Sequence, residues 1–241
     1  MELASNSNME LNIDSLQAAI TGKSEIESLA ILADLFPGQV VFSSSLGYED
    51  QVITDLILKN NLNIEIFSLD TGRLFNETYM TLQKTNNRYD TKIKVYYPET
   101  SAVEELVSTK GPLSFYESVE NRKQCCFIRK VEPLNRALKG AKIWVTGIRA
   151  EQSGNRVEMP QLEADEAHQL VKFHPILDWS FDKVKDYVKS NGIPYNPLHD
   201  KGFVSIGCAP CTRAIQEGED FRAGRWWWED ESKKECGLHA K

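Results

Sequence analysis

The 241-residue sequence lacks any long hydrophobic run. No segment approaches the roughly 20 apolar residues that a membrane helix needs. The opening residues, MELASNSNMELNIDS, contain neither the basic start nor the apolar core of a secretory signal. We therefore expect a cytoplasmic protein with no membrane partner, in which reducing conditions keep the thiols free.

Positive charge is also in short supply, because the formal net charge is -7. We expect no nucleic-acid partner, since general nucleic-acid binding needs a basic face. An anionic ligand would have to be held by a local cluster of cations. Basic residues do concentrate in and beside the motifs described below, namely Arg73, Arg129, Lys130, Arg149, Arg156, Arg213, Arg222 and Arg225.

Cysteine is scarce, with five residues in the whole chain. Cys208 and Cys211 form a CxxC pair, while Cys125 and Cys126 are adjacent. A disulfide framework is not expected in a chain long enough to build a large core. The four thiolates suffice for a [4Fe-4S] cluster or a zinc ion. Zinc pairs are usually spaced by two to four residues, so the adjacent pair favours iron and sulfur without deciding the matter.

The fifth cysteine, Cys236, lies outside any ligand spacing, in a C-terminal ECGLH sequence. An unpaired cysteine of this kind is a candidate reactive thiol. Each cysteine could instead be a small buried hydrophobe, and a CxxC pair alone could be a redox motif.

Strand and helix patterns alternate along the chain. Apolar runs predict strands at 40–42, 64–67, 93–97, 141–145 and 171–176, with helical spacing in the intervening segments. This alternation predicts an α/β fold with a doubly wound, mainly parallel sheet. A further helix is expected to begin at Cys125, where its dipole and nearby basic residues would favour thiolate. We divide the chain into residues 1–204 and a mobile C-terminal segment, 205–241.

Polar motifs follow the ends of three predicted strands: SSSLGYED from Ser43, LDTGR around Asp70, and TGIR, which ends at Arg149. Ligands of open α/β sheets bind at this carboxyl edge. A loop of small polar residues before a helix can direct backbone N–H groups and hydroxyls at an anion. A serine-rich loop is weak evidence by itself, since it is more often a plain turn.

Together these motifs, with CC and IRK, the CxxC pair, GRWWW and ECGLH, resemble the assimilatory adenylyl-sulfate reductases of the phosphoadenylyl-sulfate reductase family. The resemblance runs from about Val40 to His239. It implies the adenine nucleotide α-hydrolase-like fold, with residues 1–204 as the nucleotide-binding domain. It also implies reduction of adenosine 5′-phosphosulfate to sulfite and AMP, with thioredoxin or a glutaredoxin-like protein as thiol donor. We further expect a homo-oligomer.

The resemblance also assigns residues. It implies that a [4Fe-4S] cluster is held by Cys125, Cys126, Cys208 and Cys211, and that Cys236 is the nucleophile. The substrate-binding residues that follow from the motifs are Ser43, Ser44, Ser45, Gly47, Asp70, Thr71, Gly72, Arg73, Lys130, Arg149, Arg222 and Arg225.

Three alternatives stay open at this stage. The first is reduction of the 3′-phosphorylated nucleotide, or activity on both nucleotides. The second is an adenylating or thiolating enzyme on the same fold, although SSSLGYED departs from the usual SGGxDS loop. The third is a zinc-binding regulatory module, which would leave Cys236 and the arginines without a role.

Overall fold

The computed structural model describes residues 12–152 and 159–230, and its centre is one six-stranded sheet in the order β3-β2-β1-β4-β6-β5. The first five of these strands pair in parallel, and β5 is antiparallel to β6. The strands are β1 (Val40–Ser43), β2 (Glu65–Leu69), β3 (Lys94–Tyr96), β4 (Ile143–Val145), β5 (Leu162–Asp165) and β6 (Leu170–Phe173).

Eight α-helices accompany the sheet within the described residues. They are α1 (Ile13–Ile20), α2 (Glu25–Leu35), α3 (Tyr48–Lys59), α4 (Asn76–Arg88), α5 (Thr100–Lys110), α6 (Val119–Cys126), α7 (Glu132–Ala137) and α8 (Phe181–Ser190). Within that part of the chain, none is both long and apolar enough to cross a lipid bilayer.

Successive residues of β1 point to opposite sides of the sheet, as a strand requires. Val40 and Phe42 join one apolar cluster, while Val41 joins a second one with Trp144 of β4. Both faces of the sheet are therefore covered, and the predicted α/β fold with a mainly parallel, doubly wound sheet is confirmed.

Two elements were not predicted from the sequence. Helix α1 lies before the first predicted strand, and Asn12 caps it by accepting a hydrogen bond from the Ser15 N–H. Strand β5 is short and charged, with the sequence LEAD, so its strand character is hidden. The ion pair of Lys172 with Asp165 stabilises it, because the charges satisfy each other across the β5–β6 pair.

The prediction that a helix begins at Cys125 is wrong. Helix α6 begins at Val119, where the side chain of Ser118 accepts a hydrogen bond from the Asn121 N–H, and it ends at Cys126. A single π-helical turn, Phe127–Val131, then leads into α7. The cysteine pair thus lies inside a helical run that continues from Val119 to Ala137, away from the N-terminal end whose dipole would favour thiolate.

A buried carboxylate joins three helices. Asp55 of α3 accepts hydrogen bonds from the hydroxyls of Tyr89, at the end of α4, and Tyr187 of α8, at 2.6 and 2.9 Å. Asp55 itself is 1% exposed. A buried acceptor with two donors fixes how these helices meet, because each unpaired hydroxyl would be costly.

We expect Asp55→Ala to lower the free energy of unfolding by about 3 kcal/mol, since it leaves two tyrosine hydroxyls without an acceptor. Tyr187→Phe should cost only about 1 kcal/mol, because it removes one donor. Urea denaturation measures both. Glu65→Ala, which breaks an exposed pair with Lys94, is the control, and an equal loss there would contradict the assignment.

Candidate active site

The main cleft lies at the carboxyl edge of the sheet, where the chain order reverses between β1 and β4. Its volume is about 250 Å³, and the segments that follow β1, β2 and β4 contribute to its walls. This topological switch point is where open α/β sheets bind ligands, because the loops of adjacent strands diverge there. The sheet thus places the three polar motifs around one space.

Of the backbone N–H groups and hydroxyls that we expected the serine loop after β1 to offer, three N–H groups are already engaged. The N–H of Ser44 donates to the Phe67 carbonyl at 2.8 Å. Those of Ser45 and Leu46 donate to Asp50 and to the Ser44 hydroxyl. These three N–H groups are used in holding the loop itself, whereas the hydroxyl protons of Ser43 and Ser44 are left for a ligand.

Asp50 anchors this loop from the first turn of α3. Its Oδ2 accepts from both the backbone N–H and the hydroxyl of Ser45, the latter at 2.6 Å. Burial raises the pKa of Asp50 to about 6, although the Ser45 donors favour the charged form. Gly147, after β4, packs so closely on Asp50 that a Cβ atom there would overlap the carboxylate oxygen.

The four upstream cysteines line one small cavity of about 20 Å³, and all four are free thiols. Two contacts bring the CxxC segment to the loop after β2. The Ala209 N–H donates to the Arg73 carbonyl at 2.8 Å, and the Thr71 hydroxyl lies 3.2 Å from Cys208 Sγ. Cys126 and Cys208, which are 82 positions apart in sequence, thus line the same cavity.

This cavity has the donor set of a metal-thiolate centre. Burial raises the pKa of the Cys125 thiol and raises that of Cys211 to about 12, so neither resembles the low-pKa thiol of a redox motif. Metal coordination would deprotonate such thiols outright. Within residues 12–152 and 159–230, no three His, Cys, Asp or Glu are arranged around a single ion. A cluster has less strict spacing, because its thiolates bind different iron atoms.

Two arginines at the site are buried without a carboxylate partner among the described residues. Arg129 lines the cysteine cavity, donates to the Thr71 carbonyl at 2.7 Å and leaves its Nε without a partner. Arg225 lines the main cleft, stacks against Gly207 and also has an unpaired Nε. Since a buried cation without a counterion is unstable, both positions favour an anion.

The cleft and the cysteine cavity are neighbours, because Lys130 and Cys208 line both of them. Arg122 lies on the other side of the cysteine cavity in a buried ion pair with Glu229, at 2.8 Å. Its guanidinium also lies 4.8 Å from the ring centre of Trp226. Trp226 and Glu229 of the C-terminal segment are thus packed against the cysteine-bearing helix α6.

The structure brings most of the predicted substrate-binding residues to the cleft. Those lining it are Ser43, Ser44, Ser45, Gly47, Thr71, Lys130, Arg222 and Arg225.

The other four predicted substrate-binding residues, Asp70, Gly72, Arg73 and Arg149, do not line the cleft. Arg149 is 1% exposed and pairs with Glu49 and Glu151, so these carboxylates occupy it. Asp70 accepts from Gly72 N–H and the Tyr79 hydroxyl and shapes the turn after β2, whereas Arg73 lines the cysteine cavity. Cys236 and Arg156 lie outside the described residues.

Comparison with known proteins decides the family. The family model for the phosphoadenosine phosphosulfate reductase domain matches residues 39–214. This chain belongs to that reductase domain family. Its match covers every strand of the sheet and the cysteine cavity, and ends shortly after the CxxC pair.

Curated relatives of this reductase domain extend over most of the chain. A protein of Sinorhizobium fredii strain NGR234, named adenosine 5′-phosphosulfate reductase, is 50% identical over 231 residues, covering 96% of this chain and 92% of the relative. One from Allochromatium vinosum with the same name is 52% identical over 202 residues, covering 84% and 79%.

Solved structures agree on the fold. The crystal structure of phosphoadenylyl-sulfate reductase from Candida auris, a phosphate complex, superposes with a TM-score of 0.71 at 29% identity, covering 88% of this chain and all of that one. FMN adenylyltransferase from Candida glabrata gives a TM-score of 0.54 at 16% identity, covering 95% and 80%, which shows a shared fold alone.

Several cleft residues of this reductase domain were not among the predicted site residues. His199 lines the cleft and stacks on Tyr48 with ring centres 4.1 Å apart. Three further residues line the cleft. Trp144 belongs to β4, Gln152 lies after that strand, and Phe221 belongs to the C-terminal segment. The available signal was position, since Trp144 lies in the strand before TGIR and Gln152 lies shortly after TGIR.

We expect the unfolding free energy of Asp50→Asn, relative to the native protein, to rise with pH. Below about pH 4 Asp50 is protonated in both states, whereas above its folded pKa of about 6 the native protein must bury a charge. The relative gain should reach the order of 2–3 kcal/mol by pH 7.

Urea denaturation of both proteins between pH 4.5 and 8 measures this difference. Ser45→Ala is the control for the direction of the effect. It removes a donor that favours charged Asp50, so it should raise the pKa of Asp50 and move the change in stability to higher pH. A difference between native protein and Asp50→Asn that does not vary with pH would contradict the argument.

Proposed function

We propose that this chain reduces adenosine 5′-phosphosulfate to sulfite and AMP in sulfate assimilation, using a thiol donor of the thioredoxin or glutaredoxin type. The names of the relatives at about 50% identity support this activity. The structure contributes a cleft at the switch point of the sheet, and Lys130, Arg222 and Arg225 are among the residues that line it.

One observation carries the proposal, namely that Lys130 and Cys208 line both the cleft and the cysteine cavity. A nucleotide in the cleft would therefore lie beside the cysteine centre. Arg222 and Arg225, which also line the cleft, add positive charge from the C-terminal segment. Phosphosulfate is an anion, so these cations are the cleft residues that suit its charged end best.

The donor set of the cysteine cavity suits a [4Fe-4S] cluster, which we propose is held by Cys125, Cys126, Cys208 and Cys211. The fit rests on four convergent thiols, and on Arg129, whose buried charge a metal-thiolate centre would balance. When bound, the cluster would supply charge and structure beside the cleft, since both electrons can arrive as thiols. Zinc is the alternative occupant of a four-thiol site.

The first chemical step would be attack by Cys236 on the sulfuryl group. Its thiolate forms a bond to the sulfur, the bond from that sulfur to the phosphate oxygen breaks, and AMP leaves with the electron pair. A thiol near its reference pKa of about 8.5 is mostly protonated at pH 7, so neighbouring cations should help. Arg222 and Arg225 are the described residues best placed in sequence to provide them.

The second step would use the donor protein. A donor thiolate attacks the Cys236 sulfur, sulfite leaves, and a mixed disulfide forms between Cys236 and the donor. The second donor thiol then attacks the donor sulfur of the mixed disulfide and releases Cys236 as a thiol. The donor dithiol is oxidised to a disulfide, and its two electrons reduce the sulfuryl group to sulfite.

A second candidate substrate is the 3′-phosphorylated nucleotide, alone or together with adenylyl sulfate. The name of the Candida auris structure, phosphoadenylyl-sulfate reductase, keeps this candidate in view at 29% identity. The four-cysteine cavity favours the unphosphorylated substrate, because family members with both cysteine pairs typically use it. The reducing cytoplasm and a homo-oligomeric state are the setting that we propose for this activity.

We expect adenylyl sulfate to leave a sulfonate group on Cys236. Reduced protein, freed of small thiols, is incubated anaerobically with each nucleotide, and intact and peptide mass spectrometry locates the adduct. Adenylyl sulfate should react at least tenfold faster than the 3′-phosphorylated nucleotide, because a further dianion must find its own cations (order of magnitude).

Cys236→Ser should abolish the adduct, whereas Ser232→Ala in the same segment should leave it. An adduct on another cysteine would rule out the assigned nucleophile. If metal-loaded protein gave no adduct with either nucleotide, the proposed reaction would lose its central step.

We expect anaerobically purified protein to contain about four irons and four sulfides per chain, from the stoichiometry of a [4Fe-4S] cluster. Single Ser substitutions at Cys125, Cys126, Cys208 or Cys211 should lower that content sharply. Cys236→Ser should leave it unchanged and is the matched control. Elemental analysis and visible absorption measure the content, and zinc without sulfide would contradict the cluster.

A further inference from the structure

A hydrogen bond beneath the cleft links two neighbouring strands. The indole Nε1 of Trp144, in β4, donates to Ser43 Oγ, the last residue of β1, at 2.8 Å. Both residues line the cleft, and the Trp144 side chain is almost fully buried, with 1% exposed. The strands pair in parallel, so the sheet itself fixes the distance between the two groups.

The direction of this bond determines what Ser43 can do next. An indole N–H only donates, so Ser43 Oγ must accept. One lone pair of the hydroxyl is thereby occupied, and its proton is left for another acceptor. Within the described residues, the Ser43 hydroxyl donates no hydrogen bond. A group with only acceptors, such as a phosphate oxygen, is the complement of this arrangement.

The neighbouring serines are used differently. Ser45 gives its hydroxyl proton to Asp50, so it has no proton to offer an anion. Ser44 Oγ accepts from the Leu46 N–H at 3.2 Å, which leaves its proton available but holds it with a longer bond. The three adjacent hydroxyls therefore differ in their hydrogen bonds, and Ser43 is the one whose hydroxyl is held by a residue of the neighbouring strand.

We propose that Trp144 is a positioning residue that holds the Ser43 hydroxyl as a hydrogen-bond donor to an oxyanion of the nucleotide in the cleft. This inference rests on the proposed function, because it takes an adenine nucleotide as the ligand. Trp144 acts through Ser43, so its contribution should exist only when the serine hydroxyl is present. An indole that served packing alone would contribute regardless of Ser43.

A double-mutant cycle on AMP binding tests this dependence. The dissociation constant of AMP is measured by calorimetry for the metal-loaded native protein, Trp144→Phe, Ser43→Ala and the double variant. We expect Trp144→Phe to raise the constant about three- to tenfold, the usual range for one oriented hydrogen bond. In the Ser43→Ala background, the same change should raise it less than about twofold.

Two further arms sharpen the result. Adenosine lacks the phosphate, so its affinity should be unaffected by Trp144→Phe if the hydroxyl serves an oxyanion. Trp179→Phe is the matched control, since that indole donates to Glu25 instead and the residue does not line the cleft. It should leave AMP affinity unchanged.

An equal effect of Trp144→Phe with and without the Ser43 hydroxyl would overturn the proposal, and so would an equal effect on adenosine. If Trp144→Phe fails to fold, a benzothienyl analogue at position 144 keeps the ring size and removes the N–H. Native protein that bound no AMP would count against the proposed function itself. Native binding with no coupling would count only against the role of Trp144.

Discussion

Buried positive charge without a protein counterion is the constraint on which this site depends. Arg129 and Arg225 are 6% and 7% exposed, and neither has a carboxylate partner in the described part of the chain. Burying such a charge costs several kcal/mol, so the arrangement is stable only with anions supplied from elsewhere. One arginine faces the cysteine cavity and the other faces the cleft. The same constraint therefore favours a metal-thiolate centre and an anionic ligand.

The sheet and the C-terminal segment each supply part of this arrangement. Strand ends provide Ser43 and the loop through Thr71, while the later segment brings Cys208, Cys211 and Arg225. The Ala209 to Arg73 hydrogen bond and the pairing of Thr212 with Arg225 hold that segment in place. The site exists only where both parts meet, so the boundary that we drew after residue 204 separates sequence regions that work together.

Local sequence predicted the sheet and most of the cleft because strand ends carry the polar motifs. It failed where long-range partners decide. Arg149 follows a strand end like the other candidates, but Glu49 occupies it, 100 positions away in sequence. The start of α6 depends on the cap at Ser118, seven positions before the cysteine at which we predicted the helix to begin. His199 was not among the predicted site residues, because its stacking on Tyr48, and thus its place in the cleft, depends on the fold.

The most direct test of this account is a crystal structure of anaerobically purified protein with AMP, using diffraction at the iron absorption edge. The account predicts anomalous density within the cavity bounded by Cys125, Cys126, Cys208 and Cys211. It also predicts AMP in the cleft, with its phosphate beside Arg225. Zinc density in that cavity, or AMP bound away from the carboxyl edge of the sheet, would contradict it.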